Sequence, residues 1–197
     1  MNHLSHLFLT GNDHHLLLGN LIADFIKPNQ ITHLSSDVVS GIKFHQFIDL
    51  SIDTNEVFRS SIGLLRKTQG KYAPVVADMF YDYLLVDHWA AYADRSFDLF
   101  KSTMYESIEA NLQELEDEII IRRVNRMISN DFLSLYKSAA LIPTTFGYLQ
   151  KRARFPNHFD QAEIDFNRLY PELAIHFNLA FPEMVKKTEH YRLNLQN

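Results

Sequence analysis

Gly41-Ile42-Lys43-Phe44-His45-Gln46-Phe47-Ile48-Asp49 is the stretch on which the fold turns. Read as a helix, it places Val38, Ile42, His45 and Asp49 on one stripe, because residues three and four apart share a helix face. The first two are apolar, so the stripe faces an interior. His45 and Asp49 then face it too. An inward carboxylate is costly unless a cation, a strong donor or a metal satisfies it. The rest of the chain has to supply what these two side chains meet.

Outward from this stretch the apolar spacing stays helical. Towards the N-terminus, residues 2–9 suit a short helix with Asn2 and His6 one turn apart, and Gly11 breaks it. A second helix over residues 14–26, with Asp13 as its cap, carries Leu17, Leu21 and Phe25 on one side and Asn20 and Asp24 on another; Pro28 ends it. Ser35 or Ser36 can cap the helix that holds His45. Towards the C-terminus, residues 55–67 suit a helix stopped by Gly70. Pro74 sits in the first turn of a long helix reaching Tyr92. Asp78, Asp82, Leu85 and Trp89 share one of its stripes. Phe97, Phe100, Met104, Ile108 and Leu112 continue the period, as do Ile120, Val124 and Met127. Asp131 can cap the next helix, and a final helix or helix pair is punctuated by Pro171 and Pro182. Strand signals are weak, and no repeat or linker divides the chain. The expectation is an all-α, single-domain helical bundle over residues 1–197.

Composition agrees. Hydrophobic residues make up 46% and charged residues 22% of 197, enough to bury a sizeable core. Six glycines and six prolines are too few for a turn-rich β fold. A net charge of −5 argues against nucleic acid as a partner. The absence of cysteine excludes disulfides and thiolate metal sites and fits a reducing cytoplasm. No signal peptide or membrane-spanning run is expected.

Three helices thus offer inward polar groups: Asn20 and Asp24; His45 and Asp49; Asp78 and Asp82, with His88 further along. Imidazole with carboxylates, without thiolates, suits Mn²⁺, Fe²⁺, Mg²⁺ or Zn²⁺. Helical bundles build such sites from facing helices. On structural grounds alone, Asp78 and Asp82 could instead pair with Arg59 or Arg66.

The order of these residues resembles the acyl carrier protein phosphodiesterases. The likeness rests on Asn2-x-Leu-x-His6-Leu, Gly19-Asn-Leu-x-Ala-Asp24-Phe and Asp37-Val-Val-x-Gly-Ile-x-x-His45-x-x-Ile-Asp49. It continues through Asp78-Met-x-x-Asp82, His88-Trp89 and Phe181-Pro-x-Met184. It implies an HD-domain-like fold and Mn²⁺-dependent hydrolysis of the phosphodiester joining 4′-phosphopantetheine to a serine of holo-acyl carrier protein, within fatty acid biosynthesis. Mg²⁺ or Fe²⁺ are the alternative cofactors. The chain departs from the family pattern at Gln46, where arginine is usual, and at Tyr83 and Phe8, where the family has histidine.

On this reading Asp24, His45 and Asp82 lead as metal ligands, with His6 and His88 as further ligands. Asp24, Asp49 and Asp78 are the candidate catalytic carboxylates, one of them serving as general base. Acyl carrier proteins are acidic, so an acidic enzyme needs a basic landing patch. Arg122, Arg123 and Arg126 form one cluster; Lys151, Arg152 and Arg154 form another, and the second is expected to contact the carrier protein. Two rival readings remain: hydrolysis of a nucleotide or other small phosphoester, and a non-catalytic module that binds carrier protein.

Overall fold

The chain, in a computed structural model that describes residues 1–11 and 13–195, forms helices and no strands among those residues. Asn2 caps the first helix, α1 (His3–Leu9), its side chain accepting from the His3 N–H. Helix α2 (His14–Ile22) starts without help from Asp13, which makes no side-chain cap bond, and tightens into a 3₁₀ turn over Ala23–Phe25. Ser35, not Ser36, caps α3 (Ser36–Asp53) by accepting from the Val38 N–H at 3.3 Å. Asn55 caps α4 (Glu56–Gln69) in the same way, and Gly70 ends it with a positive φ of 53° that a side chain would resist.

Pro74 lies in the first turn of α5 (Ala73–Asp87). The single long helix expected as far as Tyr92 is broken at His88, after which α6 (Trp89–Tyr92) adds one turn. Next come α7 (Phe97–Asn111) and α8 (Glu118–Ser129). The latter turns Ile120 and Val124 inward and its arginines outward. Asp131 caps nothing: it adopts a left-handed conformation and accepts from Lys101 and Tyr105. After α9 (Ile142–Gln150), one uninterrupted helix, α10 (Ala162–Leu195), runs through both Pro171 and Pro182. Of the two expected forms, a final helix or a helix pair, it takes the first. Its buried face includes Leu169, Leu173, Phe177, Phe181 and Met184 and packs on α3, α4, α5 and α9.

One continuous hydrophobic cluster runs through these layers. Within it α2 and α3 cross at backbone contact. A Cβ added to Gly19 would lie 2.0 Å from the Val38 carbonyl oxygen, and one added to Gly41 would lie 2.3 Å from that of Leu16. Only glycine at both positions permits this approach. It brings Asn20 and Asp24 of one segment beside His45 and Asp49 of the other. No helix among the described residues is long and apolar enough to cross a membrane.

Candidate metal centre

Three short elements converge on one point. His6 comes from the middle of α1, Asn20 from the end of α2, and His45 and Asp49 from successive turns of α3. The two imidazoles stack with ring centroids 4.1 Å apart. Asn20, fully buried, holds both. Its Oδ1 lies 3.1 Å from His6 Nδ1 and 3.1 Å from His45 Nδ1, and its own carbonyl lies 2.9 Å from His45 Nδ1. The Asn20 amide in turn donates to the His6 carbonyl at 2.8 Å and to Thr10 Oγ1 at 3.0 Å. With each Nδ1 engaged in this way, both Nε2 atoms face outward to the same place.

What they face is Asp49. Its Oδ1 is 3.2 Å from His6 Nε2 and its Oδ2 is 3.2 Å from His45 Nε2. Asp24, from the 3₁₀ turn after α2, brings Oδ1 to 3.5 Å from His45 Nε2. The imidazoles are buried, 4% and 8% exposed, while Asp49 and Asp24 are 46% and 60% exposed. The cluster therefore has a dry floor and an open mouth.

Burial disfavours the His45 imidazolium, but hydrogen bonds with Asp24 and Asp49 outweigh it and push its pKa up to about 9. His6 moves the other way: burial, only partly offset by Asp49, favours its neutral form. Burial would also raise Asp49, yet the two imidazoles hold its carboxyl well below the usual carboxylate range. The hydrogen bond with His45 lowers Asp24 as well. In effect a proton on His45 stands between two carboxylates where a cation would fit. His6, His45 and Asp49 offer ligand atoms within 4.8 Å of one another. Ligand atoms about 3 Å apart form the edge of a coordination shell with arms of about 2.1 Å. The donor set of imidazole and carboxylate, each ring held at its far nitrogen by a carbonyl oxygen, fits a divalent ion of the Mn²⁺, Fe²⁺ or Zn²⁺ kind.

The other residues singled out from sequence lie elsewhere. Asp82 is fully buried and accepts from the Leu4 N–H at 2.8 Å, the Ser5 N–H at 3.0 Å and the Ser5 hydroxyl. It satisfies the free N–H groups at the start of α1, a capping role supplied from another helix. Asp78 accepts from the Met1 amino group at 2.5 Å. Neither meets Arg59 or Arg66. His88 sits at the break after α5, with Nδ1 3.0 Å from the Leu84 carbonyl and its ring beside Phe177. Lys151, Arg152 and Arg154 occupy the exposed turn after α9, with the Lys151 ammonium over the Tyr148 ring. Of the seven residues expected to bind metal or catalyse, Asp24, His6, His45 and Asp49 come together; of the three expected to meet the partner, Arg152 comes within electrostatic reach of Arg123, which in turn feels Asp24.

Two neighbours of the cluster, Asn20 and His3, were not among the expected site residues. Asn20 was visible as an inward polar residue one turn before Asp24, yet its hold on both imidazoles depends on the crossing of α2 and α3. His3 packs edge-on between Phe25 and Phe132, at 6.1 and 5.9 Å, and burial keeps it neutral. Its position one turn before His6 was the available signal.

Comparison with known proteins extends this picture. The model of the family described as acyl carrier protein phosphodiesterase matches residues 1–184. The acyl carrier protein phosphodiesterase of Shigella boydii serotype 4 (strain Sb227) is 27% identical over 195 residues, covering 98% of this chain and 100% of that protein. Those of Salmonella paratyphi A (strain ATCC 9150 / SARB42) and Salmonella heidelberg (strain SL476) are 38% identical over 89 residues; the chain spans 46% of the length of each, about half. No solved structure matches the chain.

Proposed function

The chain belongs to the acyl carrier protein phosphodiesterase family, and from that membership we propose that it releases 4′-phosphopantetheine from the serine of holo-acyl carrier protein. The products are apo-carrier protein and free 4′-phosphopantetheine. The observation that carries this reading is the convergence of His6, His45, Asp49 and Asp24 at one open mouth.

His6 and His45, through Nε2, and Asp49 and Asp24, through their carboxylates, are the groups that would hold a divalent ion, Mn²⁺ first. Such an ion lowers the pKa of a bound water and offsets charge on the attacked phosphoryl oxygen. Asn20 keeps both rings oriented while substrate enters and leaves. Asp24, the most exposed of the four, would accept the proton of the attacking water through the carboxylate oxygen not turned to His45. In the balanced step, water oxygen bonds to phosphorus, the bond from phosphorus to the serine oxygen breaks, and the leaving alkoxide takes up one proton. The exposed Lys151, Arg152 and Arg154 offer positive charge to an acidic carrier protein. We place the activity in the cytoplasm, with carrier protein as the partner and no nucleic acid involved.

The test is mass spectrometry of holo-acyl carrier protein incubated with the protein and Mn²⁺. Wild type should remove the phosphopantetheine mass, and Asp24→Ala should not. Retention of that mass by wild type under every divalent metal tried would reject the reading.

A further inference from the structure

The open mouth is strongly acidic. It presents two carboxylates to solvent, Asp24 and Asp49, and a phosphodiester is itself an anion. Something besides a metal has to attract it. A cation stands at the rim. Arg123, on the outward face of α8, lays its guanidinium over the Phe25 ring at 3.6 Å, and Phe25 belongs to the same 3₁₀ turn as Asp24. This cation–π contact fixes the head of a long side chain next to the turn that carries the catalytic carboxylate.

The adjacent arginine is used differently. Arg122 donates to Glu118 one turn earlier, at 3.1 Å. Arg123 has no carboxylate within 4 Å among the described residues, so its fork of N–H donors is open. It feels the charge of a second guanidinium, Arg152 from the turn after α9, and that of Asp24. Two like charges gathered from separate elements repel unless an anion lies between them. A phosphoryl group, with two non-bridging oxygens, is the anion whose geometry a guanidinium matches in bidentate fashion.

We propose that Arg123, flanked by Arg152, is the seat of the scissile phosphodiester: it binds a non-bridging phosphoryl oxygen and stabilises the charge that grows there during attack. The inference rests on the proposed hydrolysis for its substrate, but the anion seat itself can be measured without turnover. It also gives the two basic clusters different tasks. Arg123 handles the phosphate, while Lys151 and Arg154 are left to face the carrier protein.

The experiment compares wild type, Arg123→Gln, Arg123→Lys and Arg122→Gln, each with one equivalent of Mn²⁺. Affinity for inorganic phosphate is measured by calorimetry, and turnover of holo-acyl carrier protein by mass spectrometry. Both arginines are exposed, so all variants should melt like wild type. Arg123→Gln should lose about tenfold or more in phosphate affinity and roughly 10²-fold in kcat/KM, the usual scale for one donor to a developing oxyanion. Arg123→Lys, which keeps the charge without the fork, should fall between, and Arg122→Gln should match wild type. Unchanged phosphate affinity in Arg123→Gln overturns the inference, even if turnover of carrier protein drops, because Arg123 would then serve docking. Failure of wild type to bind phosphate overturns it too. Phosphate binding that depends on Arg123 in a protein inert towards carrier protein would uphold the seat and reject the proposed substrate.

Discussion

Asp49 and Asp82 are the same functional group on two inward-facing helix stripes, and they part company because of what meets them. Asp49 meets two imidazoles and stays ionised. Asp82 meets the N-terminus of α1 and lies out of water altogether. For Asp82 burial outweighs the hydrogen bonds from Ser5 and Leu4, and its pKa is pushed up to about 6. The folded state therefore holds this proton more tightly than the unfolded chain does. The stabilisation is complete below about pH 4 and is lost as pH rises through about 6, by on the order of 3 kcal/mol. Asp82→Asn cannot ionise, so between pH 4 and pH 7 its stability in denaturant should lack the fall that wild type shows. Parallel curves for the two proteins would contradict this assignment. The difference between the two aspartates was not legible in the sequence. Spacing tells which face a carboxylate occupies, but not whether an imidazole or a helix terminus stands opposite.

At the scale of elements, the helices themselves were legible because their apolar periods are long and their caps are local. Asn55, Ser35 and Pro74 act within a few residues of where they stand. The misplaced boundaries are those decided by tertiary contact. The prolines of α10 each remove a backbone donor, yet the buried row from Leu169 to Met184 keeps the helix whole. Asp131 left its expected cap because Lys101 and Tyr105 claim its carboxylate. The crossing of α2 and α3 has the most consequence for the site. Gly41→Ala would drive a methyl group into the Leu16 carbonyl, which a backbone atom cannot avoid by changing rotamer. We expect it to cost at least about 1–3 kcal/mol and to draw His45 Nδ1 away from the Asn20 carbonyl. Denaturant unfolding measures this directly, and a loss below about 0.5 kcal/mol would show that the helices separate freely.

At the scale of the whole molecule, the departures from the family pattern fall outside the cluster. Phe8 packs on Trp89, Phe100 and Phe181. Tyr83 directs its hydroxyl to Thr145 Oγ1 at 2.7 Å, and Gln46 is exposed on α3. None replaces a member of the His6, His45, Asp49 and Asp24 group. The sequence named, among its candidates, the four imidazole and carboxylate residues that the structure brings together. It could not separate them from Asp82, Asp78 and His88, since sorting a ligand from a structural neighbour takes the three-dimensional crossing of α1, α2 and α3. The central claim is that this group of four is the metal site. Equilibrium binding of Mn²⁺, followed by electron paramagnetic resonance of the free ion, tests it most directly. Wild type and Asp82→Asn should each bind Mn²⁺ tightly, while His45→Ala and Asp49→Asn should lose that binding. Tight binding that survives in Asp49→Asn and disappears in Asp82→Asn would contradict the account.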